Sequence, residues 1–127
     1  MPDTFAAEQT PKTPFLNFNA EAGVLEMKGK SIPENSILFY KPVFDWLDNY
    51  MQNPAKATTL NIQFDYFNTS SAKILADLFK KLETFNNTGK SPVVVNWHYQ
   101  VDDDDMLEAG EDYKSISKIP FNTISFQ

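Results

Sequence analysis

Three hydroxyl side chains stand in a row, Thr69-Ser70-Ser71, after an asparagine, and a lysine follows at Lys73. Before them FDYF (64–67) is aromatic and strand-like; after them KILADLFKKLETF is helix-like. Asn68, Thr69 or Ser70 can accept hydrogen bonds from the first free amides of that helix, and one such acceptor is enough for a cap. A helix N-terminus also tolerates a phosphate well, because its free N–H groups and dipole favour an anion. Lys73, four residues beyond Thr69, adds an ammonium. The chemistry offered by NTSS is therefore either capping or reversible phosphorylation at a surface corner.

Two other groups of residues invite a chemical reading. Asp102 to Asp105, Glu108, Glu111 and Asp112 place seven carboxylates in eleven residues. Counted from Asp102, the sixth position of a calcium loop holds no glycine and the twelfth no glutamate, so the EF-hand pattern is missing. Acids at a helix start complement its dipole and cap it, which is the reading preferred for 102–112, with a partner-docking face second and a metal site last. His98 is the single histidine, in an alternating stretch with no nucleophile or orienting partner marked beside it. The four glycines are scattered, so no phosphate-cradling loop is present. The chain is expected to be no enzyme, with no metal and no cofactor.

The elements that must position these residues follow from periodicity. PFLNFN (14–19) and GVLEMKG (23–29) alternate apolar and polar residues around Glu21-Ala22-Gly23, the pattern of a hairpin. A helix is expected over 35–52, where Tyr40, Val43, Phe44, Leu47, Tyr50 and Met51 recur at three- and four-residue spacing, widened by Phe39 and Trp46. Pro42 must either kink it or lie in its first turn. TTLNIQFDYF (58–67) reads as a strand. Residues 69–86 form the clearest helix, with Ile74, Leu75, Leu78, Phe79, Leu82 and Phe85 on one stripe. SPVVVNWHYQ (91–100) is a strand whose valine run suggests burial on both faces. Residues 101–117 are an acidic loop entering a short helix, and FNTISF (121–126) is a last strand. Residues 1–13, polar with two prolines, read as a flexible tail before one domain at 14–127. The fold class is α/β, in the order β-β-α-β-α-β-α-β: about five strands in a mixed, mostly parallel sheet with three helices and right-handed crossovers.

Composition bounds the function classes. The chain has 127 residues, a net charge of −6 and no cysteine. That allows one core but no disulfide and no thiolate chemistry. All eleven basic residues are lysine, so bidentate guanidinium contacts to phosphate or guanine are unavailable and nucleic-acid binding is disfavoured. The first residues lack the basic and apolar regions of a secretory signal, and no apolar run approaches a membrane span. The expected location is the cytoplasm, with no direct membrane insertion.

GKSIPEN (29–35), YFNTSSAK (66–73) and DMLEAGEDY (105–113), set in matching stretches across 14–126, resemble the SiaC family of bacterial regulatory phosphoproteins. That family is in turn similar to the STAS domains of anti-sigma factor antagonists. The resemblance implies a phosphoacceptor hydroxyl at the start of the helix after the third strand, which maps onto Thr69, with Ser70 and Ser71 as neighbouring acceptors. It implies a partner switch: a cognate Ser/Thr protein kinase adds the phosphate, a PP2C-type phosphatase removes it, and the unphosphorylated form binds and stimulates a diguanylate cyclase, raising cyclic-di-GMP and promoting biofilm or aggregation. Asn68, Thr69, Ser70 and Lys73 would form the partner-binding surface. The opposed readings are a constitutive scaffold and a small-molecule-binding STAS-like module, in both of which NTSS only caps the helix.

Overall fold

The computed structural model describes residues 4–127. One six-stranded sheet holds β1 (Phe5–Ala7), β2 (Phe15–Asn19), β3 (Val24–Ser31), β4 (Thr58–Phe67), β5 (Val93–Gln100) and β6 (Phe121–Phe126), lying side by side in chain order. The first three strands are antiparallel neighbours, and β3 to β6 are parallel. Each parallel step is bridged by one helix: α1 (Ser36–Tyr50), α2 (Thr69–Asn87) and α3 (Asp104–Ile116). Right-handed crossovers that always step in the same direction put every helix on the same face of the sheet.

That topology explains the burial pattern. On the helix side Leu25, Met27, Leu60, Ile62, Phe64, Val93, Val95 and Trp97 are buried. The other face is bare and polar. Asn17, Glu26, Asn61, Asn96 and Asn122 fall in register across β2 to β6. Asn96 Nδ2 donates to Asn61 Oδ1 at 3.0 Å and Asn122 Nδ2 to Asn96 Oδ1 at 3.1 Å. Val94 is only half-buried there, which corrects the expectation that β5 is buried on both faces. His98 shares the bare face with Lys28 and Glu26. Partial burial, then Lys28, push its pKa below the usual imidazole value, and Glu26 opposes them.

The strand count is six rather than about five. The additional strand, β1, lies in the stretch read as a tail. It pairs with β2 through Phe5↔Phe18, and the two rings lie 5.7 Å apart. Further along, Lys12 O accepts from Ile32 N at 2.8 Å. Such pairing draws on a partner 13 residues away in register, so it leaves no periodic mark in three residues of local sequence. The hairpin turn requires its glycine: Gly23 has φ 71°, and a Cβ there would lie 2.2 Å from Ala57 O.

The helical stripes pack as the periodicity predicts. Ile74, Leu75, Leu78, Phe79, Leu82 and Phe85 of α2 are all buried. In α1, Tyr40, Val43, Trp46, Leu47 and Tyr50 reach the core, while Phe39, Phe44 and Met51 pack at its margin. Helix α1 continues through Pro42. The proline sits on the exposed side and supplies no N–H, so the Leu38 carbonyl lacks its usual helical donor. Asp103 caps α3 by accepting from Met106 N at 3.0 Å, and Asp104 and Asp105 occupy its first turn. Gly110 lies under Trp97, where a Cβ would come within 2.4 Å of the indole. Trp97 Nε1 donates to Met106 O at 3.0 Å, fixing α3 over β5.

Candidate functional site

The C-terminal ends of the parallel strands and the N-terminal ends of the helices meet at one edge of the sheet. There β3 ends at Ser31, β4 at Phe67, α1 begins at Ser36 and α2 at Thr69. The addition of β1 makes α2 the helix after the fourth strand, not the third.

The cap of α2 is Asn68, whose Oδ1 accepts from Ser71 N at 2.9 Å. The capping duty therefore falls on an amide and leaves the three hydroxyls for other work. Their surroundings differ sharply. Ser71 is fully buried; its Oγ lies 2.8 Å from Ser31 Oγ and donates to Ser31 O at 3.0 Å. Ser31 Oγ lies 2.5 Å from Tyr40 OH, and Asn68 N donates to Ser31 O at 3.0 Å. Ser70 is exposed as a residue, but its Oγ lies 2.6 Å from Ser36 Oγ and donates to Asn68 Oδ1 at 3.1 Å. Thr69, in the first turn, is exposed and its hydroxyl bonds to none of the described residues.

This geometry sorts the sequence-predicted acceptors. Thr69 has an accessible, uncommitted hydroxyl. Ser70 bridges the first turns of α1 and α2. Ser71 is part of the core network, and a kinase could reach it only after local unfolding. Burial of Tyr40 raises its phenol to about 12, against the smaller lowering influence of the Ser31 hydrogen bond, so the network is neutral at physiological pH. Lys73 is exposed one turn along α2 and makes no ion pair with any described residue. No acidic residue occupies the first turn of α2.

Ser31 and Ser36 belong to this corner, and periodicity does not mark them: they lie 40 and 34 positions from their partners Ser71 and Ser70. Tyr40, which periodicity marks only as a core residue of its helix, joins them through its hydroxyl. Tyr113 is a further tie, donating from its hydroxyl to Ala72 O at 2.9 Å. It fastens α3 to the first turns of α2; burial pushes its phenol up to about 12. A groove of about 300 Å³ between α1 and α2 is lined by Ile37 and Ile74 and by six polar residues, among them Ser36, Ser70, Lys73 and the carboxylates of Glu34 and Asp77. The acidic run 102–112 forms the start and the exposed side of α3 and does not enter this groove.

Residues 7–126 match the profile of the SiaC family of regulatory phosphoproteins. The chain belongs to the SiaC family. An uncharacterised protein of Pseudomonas aeruginosa (strain UCBPP-PA14) is 32% identical over 112 residues, 88% of each chain. SiaC of P. aeruginosa, solved by itself, superposes with a TM-score of 0.89 at 28% identity, covering 98% of this chain and 99% of that one. SiaC solved in complex with the diguanylate cyclase SiaD, whose activator it is, gives 0.89 at 29% identity over 96% and 99% of the two chains. The SiaC structures share the α/β fold described above. Among the described residues, no helix is long and apolar enough to cross a membrane.

Proposed function

We propose that this SiaC-family protein is a non-enzymatic, cytoplasmic partner switch controlled by reversible phosphorylation of Thr69. The unphosphorylated form binds and activates a diguanylate cyclase, raising cyclic-di-GMP and promoting biofilm growth. A cognate Ser/Thr protein kinase writes the phosphate and a PP2C-type phosphatase erases it. The observation that carries this reading is the free, exposed hydroxyl of Thr69 beside two hydroxyls that are already bonded. Asn68 does the capping, so a hydroxyl at 69 is not needed to hold the helix. The activator relationship between SiaC and SiaD in P. aeruginosa supports the choice of output.

The physical effect of the phosphate is local. It adds about −1.5 to −2 charges at a helix N-terminus that accepts an anion without unfolding. Lys73 is the nearest cation in sequence on the same helix, and the chain has no arginine to bind the group bidentately. The anion stays at the surface, where a docking partner must either strip its water or be excluded. Thr69→Ala should bind the cyclase and ignore the kinase.

The test is phosphopeptide mapping of the protein from native cells, together with cyclase activation by protein carrying phosphothreonine at 69. A phosphoryl group on Thr69, and loss of activation by that form, are expected. Modification confined to Ser70 or Ser71, or equal activation by both forms, would refute the Thr69 switch.

A further inference from the structure

The first turn of α1 carries two large apolar side chains that the fold does not use. Ile37 is 77% exposed and Leu38 67%. The inward stripe of the helix is made by Tyr40, Val43, Trp46, Leu47 and Tyr50, so polar residues at 37 and 38 would serve the core equally well. Adjacent exposed apolar residues at one helix end form a patch that water solvates poorly and a partner can cover.

Their position ties them to the phosphorylation corner. Ser36, the residue before Ile37, is joined to Ser70 by the 2.6 Å hydroxyl bond. Ile37 forms a wall of the groove of about 300 Å³ whose lining includes Ser70, Lys73 and the almost fully buried Ile74. Its volume is at the small end of ligand pockets, a size that takes a side chain. Beside it, Leu38 offers a carbonyl that Pro42 cannot satisfy.

We propose that Ile37 and Leu38 are the apolar anchors of the cyclase-docking surface, and that the groove between α1 and α2 receives one large apolar side chain of the cyclase. The inference rests on the partner-switch reading given above and deepens it. The occupant is argued from continuity with Thr69 and from the sign of the switch. A surface closed by adding an anion is not met by a cationic partner, which would welcome the phosphate; a dehydrated apolar contact is closed by it, because the anion would have to lose its water, and the exposed Ile37 and Leu38 offer such a contact. A donor on the cyclase completes the contact at the Leu38 carbonyl. Of the other exposed aliphatic side chains, Val24 starts β3, Val101 follows β5, Ile116 ends α3 and Ile124 lies on the edge strand β6; none of them lines the groove.

The experiment measures binding of the full chain to the diguanylate cyclase of its own cell, identified by similarity to SiaD, by titration calorimetry. Three proteins are compared with the wild type: Ile37→Ser/Leu38→Ser, Ile124→Ser and the form with phosphothreonine at 69. The double variant should melt as the wild type does and lose at least about tenfold in affinity, as anchors of an interface do. Ile124→Ser should bind normally, and the phosphorylated form should not bind. If the double variant binds within about twofold of the wild type while the phosphorylated form fails, the anchors are wrong and the switch survives. Equal weakening by Ile124→Ser would also overturn the assignment of the anchors. If the wild type does not bind the cyclase, the partner-switch reading falls and takes this inference with it.

Discussion

Thr69→Asp should make the protein more stable, not less. Thr69 is exposed in the first turn of α2, no acid stands in that turn, and the cap is already supplied by Asn68. A carboxylate there interacts with the positive end of the helix dipole, worth about 0.3–1 kcal/mol at a surface site. Lys73 is one turn away on the same helix, and an Asp–Lys pair at that spacing adds about 0.3–0.5 kcal/mol. Nothing buried is disturbed, so the gain should be about 0.5–1.5 kcal/mol in low salt. The new carboxyl's pKa is depressed in the folded state. Its contribution is therefore present above the unfolded value of about 3.9 and lost as pH falls through the folded value. Urea titrations of wild type and variant at neutral and acid pH, in low and high salt, measure each part. The gain should shrink in high salt and vanish at acid pH. Destabilisation by more than about 1 kcal/mol, or a gain unaffected by pH, would refute the geometry of the corner. A stable Thr69→Asp that nevertheless binds the cyclase weakly would show that the lost binding is electrostatic and not misfolding.

The same substitution two residues on should do the opposite. Ser71→Asp buries a carboxylate beside Ser31 and Tyr40, and should cost several kcal/mol, read by denaturant titration or as failure to fold. Leu78→Ala removes a buried side chain of the α2 stripe and should cost about 2–5 kcal/mol; a loss below about 1 kcal/mol would mean the stripe is not against the sheet. Gly110→Ala drives a methyl into the Trp97 indole and should cost about 1–3 kcal/mol, with a change in tryptophan fluorescence. The Tyr40 and Tyr113 phenols are both raised to about 12 from 10.0. Their neutral forms are favoured by the fold, so stability should be intact below pH 10 and decline as pH rises from there to about 12. Tyrosine absorbance that titrates wholly at the free value would contradict that burial.

What the sequence determined by itself was set by local period and local chemistry. The α2 stripe, the hairpin at Gly23, the strand at 58–67 and the acid-capped start of α3 are written in neighbouring residues, because side chains three or four apart share a helix face and alternate residues share a sheet face. The hydroxyl corner was legible for the same reason: a strand, a run of capping residues and a helix place Thr69 at the cap or in the first turn, and the structure then gives the cap to Asn68. Only the tertiary structure decided which hydroxyl is free. Ser70 and Ser71 take their partners from Ser36 and Ser31, 34 and 40 residues away, and no periodicity reports a contact of that range. The pairing of Phe5–Ala7 with β2, the bare polar face at Val94 and the exposure of Ile37 and Leu38 were decided in the same way. Each depends on how strand order and crossover hand place an element against the rest of the chain, and not on the residues of the element itself.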